Sequence, residues 1–252
     1  MSLKSDESNP SVNVKSLPEQ LKDADHFCAA LEAVYGAAQA DVIVQQLAKP
    51  SRLSFWFNPL LCSDQSVQDI AVTSQVVAGL SEVWSTDPDS GLTATRQASE
   101  GHIYIQNPSS KFAVRVLAPG PHEEILDLAA APGGKTIAIA VAMGNTGRLA
   151  AVEPIKSRFH RMRANTARCG VTNVDFYQRD GRGVGRAVPE RFDRVLLDAP
   201  CSSEARMRWF APETYTHWSR QKLKETQRKQ KSLLRSAYAC LLYTSPSPRD
   251  LV

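Results

Sequence analysis

Long apolar runs are missing from these 252 residues. No stretch approaches the roughly 20 consecutive apolar residues of a membrane-spanning helix, and the opening MSLKSDESNPSVNVKS holds no apolar segment of a secretory leader. No membrane partner and a cytoplasmic location are therefore expected. Cysteine is scarce: Cys28, Cys62, Cys169, Cys201 and Cys240 are odd in number, scattered and never spaced as CxxC. That pattern suggests neither a disulfide framework nor a zinc site, so no metal is expected. His102, His160 and His217 have no paired ligand or nucleophile in the sequence and are assigned no chemistry. Strong charge is absent too, since a net charge of +4 does not by itself imply an anionic partner. What remains is an ordinary soluble composition, 42% hydrophobic, long enough for one sizeable core and a smaller domain.

Residues 1–18 are polar and read as a disordered lead. In FCAALEAVYG, the spacing of Phe27, Leu31 and Val34 predicts one helix face, closed by Gly36; ADVIVQQLAK predicts a second helix. SRLSFWFNPLL predicts a strand stopped at Asn58-Pro59, and STDPDSG (Ser85 to Gly91) a boundary loop. Residues 19–93 are thus expected to form a small α/β region, and 94–239 the main domain. In the latter, EEILDLAA, GRLAAVE, VDFYQRD and FDRVLLDAP read as strands. They alternate with helices at KTIAIAVAM and KSRFHRMRANTARCG, where Ile155, Phe159 and Met162 mark the buried stripe. This alternation predicts an α/β fold with a mostly parallel sheet, whose ligands bind at the strands' carboxyl ends.

Each of those ends carries chemistry. DLAAAPGGKT (Asp127 to Thr136) joins the first strand to a helix; small residues admit a ligand to the backbone, and a helix start offers free N–H groups. The turn is close to a phosphate-binding P-loop, lacking the first glycine because Ala129 stands there. RVLLD, ending at Asp198, would pass for that class's acidic strand. A P-loop NTPase is therefore one reading. Glu153, ending the second strand, favours another, because a carboxylate there can accept hydrogen bonds from both hydroxyls of a ribose. Asp180, after the third strand, could accept from an adenine amino group. Turn and acids together fit S-adenosylmethionine better than ATP or NAD.

YIQNPSSKFAVRVLAPGPHEEILDLAAAPGGKT (Tyr104 to Thr136), RCGVTNV, DGR, LLDAPCSSEA and the upstream SRLSFWFNPL resemble the RNA (cytosine-5)-methyltransferases of the NOL1/NOP2/Sun family. The run from Gln106 to Ser110 is a recurrent element of that family. The resemblance implies a Rossmann-like class I methyltransferase domain, preceded by an RNA-binding α/β region over residues 19–93, with S-adenosylmethionine as cofactor and RNA, either rRNA or tRNA, as partner. It implies that Ala129, Ala130, Ala131, Pro132, Gly133, Gly134 and Lys135 line the cofactor's methionine end, Glu153 its ribose and Asp180 its adenine. Asp198 would lie where cofactor meets base, donating to the cytosine N3 if protonated. In the family one thiol attacks C6 of a flipped cytosine and a second, in Pro-Cys, assists product release. Cys201 is expected to be the assistant. Many relatives carry Gly-Glu-Gly after Pro-Cys-Ser, where this chain has Ser203-Glu204-Ala205.

The attacking thiol would follow in a Thr-Cys strand, but the chain reads CLLYTSPSPRDLV. This string resembles a translated sequencing adapter, so residues 240–252 are expected to lie outside the fold, the sheet to be truncated and methyl transfer to be impaired. Two basic stretches could meet phosphate: Lys156, Arg158, Arg161, Arg163 and Arg168 on one helix, and Lys222, Lys224, Arg228, Lys229, Lys231 and Arg235 on another. The indole of Trp209 or the guanidinium of Arg206 or Arg208 could stack on a base, whereas Trp56, Trp84 and Trp218 read as packing residues. A non-catalytic RNA-binding module is the remaining alternative.

Overall fold

The computed structural model describes residues 17–62, 70 and 74–242. Two compact units divide them. Described residues within Met1–Ser51 and Cys201–Arg228 form one, and those within Arg52–Pro200 and Lys229–Val252 the other.

In the first unit, α1 (Ala24–Tyr35) and α2 (Ala37–Leu47) meet at Gly36, whose φ of 78° suits glycine. Their apolar faces close over Phe27, Cys28, Ala40 and Val44, and Met207, Tyr215 and Trp218 from the later segment complete that core. The Phe27 and Trp218 rings meet edge-on at 5.4 Å. The buried face of α1 ends before Val34, which is 71% exposed. Leu17 also packs here, so the expected lead ends sooner than residue 18; residues 1–16 lie outside the described residues.

The second unit holds two four-stranded sheets. β1 (Leu53–Phe57), β2 (Gln75–Val77), β3 (Leu80–Thr86) and β4 (Ile103–Ile105) form an antiparallel sheet in the order β2-β3-β1-β4. Because β4 pairs with β1, this sheet is closed by a strand from beyond the loop at Ser85–Gly91. The chain therefore does not divide at 93/94 as its composition suggests. α3 (Arg96–Glu100) precedes β4 and α4 (Pro108–Leu117) follows it. α4 starts with proline in its first turn behind Asn107, whose side chain accepts from the Ser109 N–H.

The second sheet is parallel throughout: β5 (Glu124–Asp127), β6 (Arg148–Val152), β7 (Val174–Tyr177) and β8 (Arg194–Leu196), in the order β7-β6-β5-β8. α5 (Gly134–Ala142), α6 (Lys156–Arg168) and the short α7 (Val184–Ala187) connect them. Alternate residues of β5 serve the two faces. Ile125 packs with Ile137, Ile139 and Met143, whereas Leu126 packs with Leu233, Ala237 and Cys240 of α8 (Arg220–Cys240). The α6 stripe is Phe159 and Met162; Ile155 caps the helix and is half exposed.

The chain runs outward from β5 to β7 and then returns to place β8 on the other side of β5. This reversal makes the carboxyl ends of β5 and β8 the crevice where open α/β sheets take ligands. Among the described residues β8 has a paired strand on one side only, with Leu241 bridging to Phe192 and the Leu242 N–H donating to the Phe192 carbonyl at 2.9 Å. Cys240 is fully buried as the last helical residue. The boundary expected at 239/240 thus has no structural counterpart up to Leu242, because Cys240 joins the core formed by Leu233 and Ala237 and the backbone of the next two residues meets Phe192. Residues 243–252 lie outside the described residues.

Candidate functional site

Four adjacent strands deliver the candidate residues of the second unit to one sheet edge. Ala129 to Lys135 follow β5, Glu153 ends β6, Asp180 follows β7 and Asp198 follows β8. Sheet hydrogen bonds fix the start of the turn, with Leu128 N–H on the Leu196 carbonyl and Ala130 N–H on the Val152 carbonyl, both at 3.0 Å.

The glycines of the turn are demanded by the protein itself. Gly133 has φ 102°, and a Cβ on it would lie 3.3 Å from Met162 of α6. A Cβ on Gly134 would lie 2.7 Å from Gln106 Nε2 and 3.0 Å from the Tyr104 ring. Small size at these two positions therefore serves packing, where the sequence alone suggested room for a ligand. Gln106 cannot retreat freely, since its Oε1 accepts from the buried Trp56 indole at 3.0 Å. Gly134→Ala is expected to cost about 2 kcal/mol in urea unfolding, as overpacking of a filled site does; a loss below about 0.5 kcal/mol would show that Gln106 yields.

Glu153 is buried, 2% exposed, at the end of β6. Its Oε1 accepts from the Ile155 N–H at 2.9 Å, and Oε2 lies 3.5 Å from Arg158 Nη1. Arg158 also donates to the Ala131 carbonyl at 2.9 Å, tying α6 to the turn. Asp180 accepts from its own neighbour: the Arg182 backbone N–H at 2.9 Å and the Arg182 guanidinium at 2.6–3.0 Å. That guanidinium, more than the backbone bond, holds the Asp180 carboxyl below the usual range.

Asp198 is the exposed partner of a 2.5 Å ion pair with Lys135 Nζ, which also donates to Ser110 Oγ at 3.1 Å. In this arrangement Asp198 accepts a hydrogen bond from the Lys135 ammonium. Cys201 belongs to the other compact unit, where it is exposed with its Sγ 3.9 Å from Ser203 Oγ. Trp209 is engaged in that unit too: its indole donates to the Val44 carbonyl at 3.0 Å and meets Phe27 and Tyr215 edge-on. The base-stacking role suggested by its position is thus displaced by packing.

The residue that sequence reasoning passed over is Asp127. It is 1% exposed beneath the turn, with Oδ2 accepting from Thr136 Oγ1 at 2.7 Å and Oδ1 without a hydrogen-bond partner among the described residues. Burial pushes its carboxyl up to about 6, opposed by the Thr136 hydroxyl and the Lys135 charge. The signal was present, an acid inside an otherwise apolar strand end, but an acid closing a strand can equally face solvent. Among the described residues no group of three or more His, Cys, Asp or Glu could hold a metal ion, and no helix is long and apolar enough to cross a membrane.

Residues 114–245 match the family model described as 16S rRNA methyltransferase RsmB/F. Ribosomal RNA small subunit methyltransferase F of Erwinia tasmaniensis is 42% identical over 152 residues, covering 60% of this chain and 32% of that protein. Its namesake in Escherichia coli strain SE11 is 41% identical with the same coverage. The matched segment thus spans about a third of these curated relatives, 32%. Among solved structures, a methyltransferase homolog protein from Pyrococcus horikoshii is 30% identical with a TM-score of 0.72, covering 86% of this chain and 69% of that one. NSun6 from Pyrococcus horikoshii with SFG shares the fold at a TM-score of 0.75 and 20% identity, over 91% of this chain and 81% of that one. The parallel sheet is accordingly the Rossmann-like core of class I methyltransferases, and with more than half its residues matched, the chain belongs to the RsmB/F family of 16S rRNA methyltransferases.

Proposed function

We propose that the second unit holds S-adenosylmethionine and that the chain is part of an enzyme methylating C5 of cytosine in RNA, with small-subunit ribosomal RNA as the substrate class and tRNA as the second possibility. One observation carries the reading. At the reversal point of the sheet, a buried carboxylate with an unpartnered oxygen, Asp127, underlies a glycine turn flanked by the buried acid Glu153 and the Lys135–Asp198 pair.

These residues fit a cationic, ribose-bearing group. Asp127 Oδ1 lacks a donor, which the ammonium end of a methionine moiety can supply directly or through water. Glu153 keeps acceptor capacity on Oε2, for which Arg158 is a distant partner. Ala129 to Gly134 would line the methionine end, Glu153 the ribose and Asp180 the adenine, with Asp180 first released from Arg182. When bound, S-adenosylmethionine supplies an electrophilic methyl group. Lys135 and Asp198 would present a donor and an acceptor to the polar edge of a flipped base, and Cys201 would assist product release. RNA affinity would come from the exposed lysines and arginines of α6 and α8, and would weaken with salt.

Calorimetry with S-adenosylhomocysteine tests the proposal. Binding without metal is expected, and Glu153→Ala should weaken it at least about tenfold, the worth of one charge-assisted hydrogen bond. Magnesium-dependent binding of ATP in place of S-adenosylhomocysteine would turn the reading to the P-loop alternative. RNA binding without any cofactor heat would turn it to a non-catalytic module.

A further inference from the structure

The run Gln106 to Ser110 contributes no group to the cofactor reading, yet three side chains between Tyr104 and Ser110 reach the turn. Tyr104 and Gln106 press on Gly134, and Ser110 meets the next residue, Lys135. The two serines at the start of α4 are not equivalent. Ser109 is exposed and spends its hydroxyl on Asn107 Oδ1 at 2.8 Å, within the helix cap. Ser110 is half buried, and its Oγ is the second acceptor of the Lys135 ammonium, at 3.1 Å beside the 2.5 Å contact with Asp198.

The difference matters because a lysine ammonium on a four-carbon stem is a mobile point charge with three equivalent donors. One acceptor, Asp198, fixes only a distance. Asp198 is itself 59% exposed on its side chain, so it gives the pair little rigidity. A second acceptor on a different element, α4, fixes the direction of the remaining N–H. We propose that Ser110 is a positioning residue: it holds the Lys135 ammonium against Asp198 and aims the third N–H toward the crevice. This rests on the reading of that crevice as the place where cofactor and base meet.

The test uses the chain with 15N-labelled lysine and needs no cofactor, so its outcome is independent of the calorimetry above. In NMR at low temperature the Lys135 ammonium should be clearly more ordered than those of exposed lysines such as Lys222 and Lys231. Ser110→Ala should lower that order about twofold, since a charge-assisted hydrogen bond is lost, and Ser110→Thr, which keeps the hydroxyl, should retain it. Asn107→Ala separates positioning from helix stability: losing the α4 cap should lower the Tm by about 3 °C yet leave the Lys135 signal ordered. An unchanged signal in Ser110→Ala would overturn the proposal. So would an Asn107→Ala spectrum that matches Ser110→Ala, because the serine would then act only through α4.

Discussion

Asp127→Asn should leave stability unchanged near pH 3.5 and raise it by roughly 3 kcal/mol at pH 7.5. Burial lifts the folded-state carboxyl from an ordinary 3.8 to about 6. Between those values the folded state binds the proton more tightly than the unfolded chain does. Stability associated with the protonated acid is therefore fully present below pH 3.8, falls as pH rises to about 6, and stays lost above it. Two pH units at about 1.4 kcal/mol each set the size of the loss. The group is buried beneath the turn, so solvent screening does not erode it. An amide cannot ionise, and like the protonated acid it can accept from Thr136 and place a donor at the unpartnered position. The two proteins should accordingly match in acid and diverge above it. Urea unfolding at half-unit pH steps reads the difference. Other acids, such as Glu123, whose carboxyl Arg194 holds low, titrate alike in both and cancel. Parallel curves from pH 4 to 7.5 would mean that Asp127 is hydrated rather than desolvated. Stability withheld at neutral pH by a charge with a free acceptor is the usual trade at a ligand site.

Much of the parallel sheet was legible because its information is local. GRLAAVE and EEILDLAA carry apolar runs of strand length; β6 ends at Val152, one residue before the acid Glu153, and β5 at Asp127, before the small residues Ala129 and Ala130. The same locality placed Ala129 to Lys135, Glu153, Asp180 and Asp198 at the strand ends, and the sheet order put those ends side by side. What could not be read was set by contacts far apart in sequence. The polar loop at Ser85–Gly91 looks like a boundary from composition, but β4 pairs back to β1 and keeps the chain on both sides of it in one sheet. Trp209 looks available beside a Pro-Cys loop, but its indole donates to Val44, 165 residues away. The glycines look like clearance for a ligand until Tyr104, Gln106 and Met162 are found in that space.

Asn58 is the sharpest instance of a distant contact hidden in a local signal, and removing it should produce the second large effect. Asn-Pro reads as a turn, and the Asn58 side chain does make one, its Oδ1 accepting from the Leu60 N–H at 3.1 Å. Its amide does more: fully buried, Nδ2 donates to the Gly101 carbonyl at 2.9 Å and the Cys169 carbonyl at 3.0 Å. The first lies just before β4 of the antiparallel sheet and the second at the end of α6, against the parallel sheet. One amide thus fastens the two sheets of the second unit. Asn58→Ala strands two buried carbonyls and a partly buried N–H, at about 1–3 kcal/mol for each fully buried group. A loss of about 4 kcal/mol, or roughly 10 °C in Tm, is expected. Asn58→Asp should be no better at pH 7, because a buried carboxylate facing two carbonyls has nothing to donate. The consequence reaches the site, since β4, α4 and the link between them carry Tyr104, Ser110 and Gln106 onto Gly134 and Lys135. In Asn58→Ala the Lys135 ammonium should lose order even below the unfolding transition. A variant that loses less than about 1 kcal/mol and keeps that lysine ordered would show that water substitutes for the amide and that the sheets hold by apolar packing alone.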